Sequence, residues 1–172
     1  MIKEIKNSQN FLNSIELVRK LVVRSGIKNS DMVVEIGPGK GIITKVLAEN
    51  CAKVIAIEYD SNLYEGLKKQ FVKQENVQMV GMDFLKYRLP QEEYKVFSNI
   101  PFNITAEILQ KLLNDTVWLK DAFIIMQYEA AMKYAGEEGC EIYTDSEFWI
   151  NVLTKWADGW KARGWTRCWI RS

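Results

Sequence analysis

Five short apolar runs constrain this chain more than any other feature. They are Met32–Ile36, Val54–Ile57, Val77–Val80, Tyr94–Phe97 and Phe123–Met126. Each is too short for a buried helix and too continuously apolar for a strand with one wet face. Between them lie segments with helical periodicity near 42–50, 61–73, 104–114 and 128–135. An earlier helix is expected from Ile15, Val18, Leu21 and Val22, after Asn13-Ser14 and with Glu16 in its first turn. Buried strands alternating with helices predict a mostly parallel sheet covered on both faces. The expected fold is therefore α/β, Rossmann-like and doubly wound. The three prolines, at 38, 90 and 101, all fall in predicted loops.

At 172 residues the chain has room for one domain with a small appendage. The composition changes after Gly136: Trp149, Trp156, Trp160, Trp165 and Trp169 crowd into the end, whereas Trp118 stands alone before it. A strand-like Cys140–Thr144 precedes a helical pattern with Phe148, Trp149, Val152, Leu153 and Trp156 on one face. The expected division is a domain over 1–136 and a Trp-rich strand-helix appendage over 137–172 packed on it, since five exposed tryptophans would invite aggregation. Charge is balanced overall, 23 basic against 22 acidic, but residues 155–172 hold five basic side chains and one acidic. Such a stretch can meet phosphate or simply be a solvated face.

The absence of histidine excludes Ser-His-Asp and Cys-His catalysis and His-rich zinc sites. Cys51, Cys140 and Cys168 offer neither a disulfide framework nor a CxxC site. No apolar stretch approaches the about 20 residues that span a bilayer. The opening Met1-Ile-Lys-Glu-Ile-Lys-Asn lacks the apolar region of a secretory signal. These features predict a soluble, cytoplasmic, reduced protein.

The first apolar run enters Gly37-Pro-Gly-Lys-Gly41, and a helix follows. Glycines at a strand–helix turn let the backbone approach a ligand where a Cβ would collide. The spacing is GxGxG, with Ile42 in the sixth position, so it matches neither a dinucleotide fingerprint nor a phosphate-binding loop ending in Gly-Lys-Ser/Thr. The second strand ends in Glu58, where a carboxylate can accept both ribose hydroxyls of a nucleoside. Asp83 follows the third strand and can accept from an adenine amino group. Singly, such glycines make turns and such acids cap helices. In series after three successive strands they imply a ribose-bearing, adenine-containing cofactor without a pyrophosphate.

The fourth strand leads into Asn99-Ile-Pro-Phe102, at the carboxyl end of the sheet where this architecture binds ligands. An amide and a backbone carbonyl there can accept from an exocyclic NH2. Pro101 fixes the loop and frees its carbonyl to point outward. Phe102 offers a flat face on which an extruded base can stack, worth about 1–3 kcal/mol. The competing reading is an Asn-Pro turn with a core phenylalanine.

Ser8-Gln-Asn-Phe-Leu12, Glu35-Ile-Gly-Pro-Gly-Lys-Gly41, Ile57-Glu58, Asp83-Phe84, Asn99-Ile-Pro-Phe102 and Gln127-Tyr-Glu-Ala130 together resemble the ribosomal RNA adenine N6-methyltransferases. That family includes the erythromycin-resistance (Erm) enzymes and the small-subunit dimethyladenosine transferases, and the resemblance covers 1–136. The Ser-Gln-Asn-Phe opening and Ile100 before the proline lean toward the Erm side. The resemblance implies a class I methyltransferase using S-adenosyl-L-methionine on an adenine of ribosomal RNA. Asn10 and Leu12 would close over the cofactor, and Gly37 and Gly39 would pass its methionine part. Glu58 would hold the ribose and Asp83 the adenine. Asn99, Ile100, Pro101 and Phe102 would form the catalytic loop, Asn99 also contacting the cofactor while it orients the target nitrogen, and Phe102 stacking on the flipped base. A monomer acting on 23S rRNA, of the macrolide-resistance type and without a metal, is the leading expectation. The small-subunit transferase is its alternative, as is a non-catalytic module binding cofactor and RNA.

Residues 140–167 instead resemble an internal piece of ribonuclease H, with Asp145 at the place of one metal-binding carboxylate. The other segments that such a nuclease needs around its two Mg2+ ions have no counterpart here. A DNA adenine methyltransferase, with its Asn/Asp-Pro-Pro-Tyr loop, is disfavoured by Ile100 and the Ser8–Leu12 opening.

Overall fold

The computed structural model describes residues 14–114, 117–126, 140–145, 148–154 and 168–171; for Phe102 and for residues beyond 126 it describes the backbone. Helix α1 (Ile15–Arg24) starts at Ser14, whose hydroxyl accepts the Leu17 N–H at 3.2 Å. The chain then alternates β1 (Met32–Ile36), α2 (Ile42–Ala48), β2 (Lys53–Glu58), α3 (Ser61–Gln70) and β3 (Val77–Gly81). A single 3-10 turn, Phe84–Lys86, leads to β4 (Tyr94–Asn99), and a second, Phe102–Ile104, leads into α4 (Thr105–Asn114) and β5 (Leu119–Met126). Three further strands follow: β6 (Cys140–Asp145), β7 (Phe148–Thr154) and β8 (Cys168–Arg171).

Among the described residues, eight strands join one sheet in the order β3-β2-β1-β4-β5-β7-β6-β8. Strands β1 to β5 are mutually parallel, and β7 runs antiparallel to both β5 and β6. Two apolar clusters cover the two faces. One joins Val34, Ile36, Ile57, Val96 and Ile124 to Ile108 and Leu112 of α4. The other joins Val33, Val54, Phe97 and Phe123 to Val18 and Val22 of α1 and Val46 and Leu47 of α2. Strands β1 to β5 are largely apolar because each contributes side chains to both clusters.

The helical face expected over Phe148, Trp149, Val152, Leu153 and Trp156 is a correction: residues Phe148–Thr154 form strand β7. That segment is rich in aromatic and β-branched residues, which suit a pleated surface. It pairs with the open edge of β5 from Asp121↔Thr154 to Met126↔Trp149, so tertiary pairing overrides the local helical spacing. Trp156, Trp160 and Trp165, the expected helix over 128–135, and Asn10 and Leu12 lie outside the described residues. Among the described residues, no helix is long and apolar enough to cross a membrane.

Lys95 anchors the amino end of the sheet. Its Nζ lies 2.8 Å from Asp31 and 3.8 Å from Asp121, and donates to the Gly26 carbonyl at 3.0 Å. The carboxyl end is built differently, and the candidate site lies there.

Candidate functional site

The strand order reverses between β1 and β4, where an open α/β sheet leaves a crevice at its carboxyl ends. The β1–β4 ladder pairs Val33 with Lys95 and Val34 with Val96. Beyond it the Ser98 hydroxyl takes over, accepting the Ile36 N–H at 2.9 Å and donating to the Ile36 carbonyl. This buried bridge ties the end of β1, just before the glycine loop, to the residue just before Asn99.

The glycine loop takes the tight turn that its glycines permit. Gly37, Gly39 and Gly41 have φ of +66°, +58° and +78°, a region that side chains other than hydrogen rarely occupy. Gly41 is the N-cap of α2, and a Cβ there would come within 2.8 Å of Leu67 and Phe71, so this glycine permits close packing of the start of α2 on α3. The place of a Gly37 Cβ lies 3.8 Å from Pro101, bringing the glycine loop against the Asn99–Phe102 loop.

Glu58 closes β2 beside that loop. Its Oε2 accepts the Gly39 N–H at 3.1 Å and its Oε1 the Asp60 N–H at 2.9 Å. Burial raises its carboxyl above the usual range, and the N–H groups of Asp60, Gly39 and Tyr59 oppose that rise. A carboxylate offers about four lone-pair positions. The Gly39 and Asp60 hydrogen bonds take one position on each oxygen, so each oxygen keeps another for one of a pair of vicinal hydroxyls, while the Tyr59 N–H acts on the charge from close by. Asp60 uses its own carboxylate to cap α3, accepting from Asn62 and Leu63.

Gly81 lies opposite Glu58 in the β2–β3 register, two residues before Asp83. Asp83 begins the first 3-10 turn, its Oδ1 accepting the Leu85 N–H at 2.9 Å. Asn99 ends β4, half-buried, in register with Ile125. Ile100, placed in the catalytic loop by its motif, is 2% exposed and turns its side chain into the core, so it can serve the site through its backbone alone. The outward-pointing Pro101 carbonyl needs correction too. It accepts from Thr105 Oγ1 at 3.3 Å and from the Ile104 N–H at 3.5 Å, holding the start of α4. Phe102 opens the second 3-10 turn.

One buried acid carried no assigned role in the sequence. Glu35 sits inside the apolar β1 run at 1% exposure, its Oε2 accepting the Thr44 hydroxyl at 2.6 Å while Oε1 has no partner. Burial raises its carboxyl to about 8, against the opposing Thr44 hydrogen bond and with the Glu58 charge adding to the rise. The native state therefore keeps a proton that the unfolded chain releases near the ordinary glutamate value of 4.5. Stability falls as pH rises from that value through about 8, at up to about 1.4 kcal/mol per pH unit. Glu35→Gln removes this dependence. In urea titrations at pH 5.5, 6.5 and 7.5, the stability difference between wild type and variant should drift by about 1 kcal/mol per unit. A difference independent of pH would mean that Glu35 is ionised in the fold.

A glycine loop after β1, acids after β2 and β3, an Asn-Ile-Pro-Phe loop after β4 and an antiparallel β7 define the Rossmann-like fold of class I methyltransferases. The comparisons agree. The family model described as ribosomal RNA adenine dimethylase matches residues 2–156, reaching past Gly136 into β7. The chain is 31% identical over 155 residues to an rRNA adenine N-6-methyltransferase of Limosilactobacillus reuteri, covering 89% of this chain and 63% of that one. It is 40% identical over 136 residues to a probable ribosomal RNA small subunit methyltransferase A of Thermococcus sibiricus, covering 79% and 48%. Among solved structures, the 23S rRNA methyltransferase ErmE superposes with a TM-score of 0.70 at 28% identity, covering 76% of this chain and 53% of that one. This chain belongs to the ribosomal RNA adenine dimethylase family. It spans about half to two-thirds of the length of these relatives.

Proposed function

We propose that this chain binds S-adenosyl-L-methionine and methylates the N6 of an adenine in ribosomal RNA. The observation carrying this reading is the convergence of Gly37–Gly41, Glu58, Asp83 and Asn99 at the carboxyl ends of four adjacent strands. The residues fit the cofactor. Glu58 retains two acceptor positions for ribose hydroxyls, Asp83 keeps Oδ2 for an amino group, and the positive-φ glycines leave a side-chain-free wall for the methionine part. Asn10 and Leu12, outside the described residues, would cover it.

The cofactor supplies an electrophilic methyl group; the chain supplies placement. Asn99 and the Ile100 carbonyl accept from the target NH2, which concentrates its lone pair on nitrogen instead of the ring. The Pro101 carbonyl is engaged by α4 and takes no part. Phe102 stacks on the extruded base. The departing proton can leave to water, so no histidine is required.

For the finer substrate we favour 23S rRNA, on the Ser8-Gln-Asn-Phe opening and Ile100. The 40% identity to the Thermococcus sibiricus protein favours the small subunit as a second reading. Tritiated methyl incorporation into protein-free 23S and 16S rRNA separates them. We expect label in 23S rRNA, at one adenine. Label confined to 16S rRNA would move the chain to the small-subunit group, and label in neither would refute methyl transfer by this chain.

A further inference from the structure

The 3-10 turn Phe84–Lys86 is too short to hold itself. Asp83 holds its start: Leu85 donates to Asp83 Oδ1, and Lys86 and Tyr87 donate to the Asp83 carbonyl at 3.0 and 3.1 Å. The Phe84 carbonyl also accepts the Tyr87 N–H at 3.1 Å, and the turn's carbonyls meet one ammonium besides. Lys111 Nζ, from the last turns of α4, donates to Phe84 O at 2.7 Å, Leu85 O at 2.9 Å and Tyr87 O at 2.5 Å. The same ammonium lies 5.0 Å from the centroid of the Phe84 ring, which is buried against Ile108, Leu109 and Leu112. An ammonium has three donors and here all three are used on one turn.

Helix α4 therefore grips both loops of the site. At its first residue Thr105 bonds the Pro101 carbonyl, and six residues on Lys111 holds the turn that begins at Asp83. Burial lowers the Lys111 pKa, and the negative charge of Asp83 opposes that lowering. Apolar packing of Phe84 seats the turn and the Leu85 N–H holds Asp83 Oδ1; three carbonyls on one nitrogen tie that same turn to α4, and the direction of the Asp83 carboxylate depends on it.

We propose that Lys111 is a positioning residue that aims Asp83 at the adenine amino group, so that it sets the selectivity of the site for a 6-amino purine. This rests on the cofactor reading above, and two ligands separate the fates of the two ideas. S-adenosylhomocysteine carries the amino group; S-inosylhomocysteine carries a carbonyl in its place. Titrating the full chain with each should show an adenosyl preference of about 10-fold or more, the range of one hydrogen bond to a charged acceptor. Lys111→Met should reduce that preference at least threefold, by weakening adenosyl binding and sparing inosyl binding. Lys111→Gln keeps a donating amide and should fall between the two; it also serves if Lys111→Met does not fold. A general loosening of the fold would weaken both ligands alike.

An unchanged preference in a folded variant, or equal weakening of both ligands, overturns the role of Lys111. Equal binding of both ligands by wild type overturns it as well, because Asp83 would then not read the amino group, yet leaves the cofactor site standing. Binding of neither ligand by wild type refutes the cofactor reading and this inference with it.

Discussion

Replacing Asn99 by alanine should reduce single-turnover methyl transfer at least 100-fold while S-adenosyl-L-methionine binds within about twofold of wild type. Losing one preorganised group aimed at the reacting centre costs about 10²–10³ in rate in comparable sites. Asn99 occupies the last position of β4, fixed in register with Ile125, and Ser98 immediately before it is tied to Ile36. Its amide is thus delivered by the sheet itself. The alanine variant leaves that backbone intact, so the effect should fall on transfer and not on cofactor affinity. Turnover near the wild-type level would remove Asn99 from the catalytic loop. A parallel loss of cofactor affinity would assign it to holding the cofactor instead.

Glu58→Ala should have the opposite signature, weakening cofactor binding about 100-fold or more. Two hydroxyl hydrogen bonds to a charged acceptor are lost, each worth about 1.5–3 kcal/mol. The Gly39 and Asp60 N–H groups lose their partner as well, which loosens the glycine loop. Glu58→Gln keeps one acceptor oxygen and should retain part of the affinity. At saturating cofactor the alanine variant should recover transfer to within about tenfold, because Glu58 lies at the ribose and not at the methyl. If Glu58→Ala bound cofactor as wild type does while failing to transfer, the roles of Glu58 and Asn99 would be interchanged.

The parallel core was legible because its strands are contiguous apolar runs bounded by strong turn residues. Gly37 stops β1, Asp60 caps α3, and Pro101 follows β4, so each boundary has a local chemical cause. Helix α3 ends at Gln70, short of the expected residue 73, and Phe71, its C-cap, packs against Gly41. What escaped the sequence depends on partners distant along the chain. Phe148–Thr154 suits a strand or a helix in isolation, and the free edge of β5 decides. Ser98 is an unremarked serine in an apolar strand; its partner Ile36 lies 62 residues away. The carbonyls that Lys111 holds lie 24 to 27 residues before it. Glu35 did leave a signal, a charge inside Met32-Val-Val-Glu-Ile36, and its meaning lay in burial that composition does not reveal. Ile100 and Pro101 belonged to a recognisable motif, but a motif does not say which way a side chain or carbonyl faces.

The most direct test of the cofactor site is calorimetric titration of the purified chain with S-adenosyl-L-methionine, with Glu58→Ala alongside. Saturable one-to-one binding by the wild type, lost or about 100-fold weaker in the variant, is the predicted result. A folded wild-type chain that takes up no cofactor, or a variant that binds as tightly as wild type, would contradict the assignment of these strand ends as its binding site.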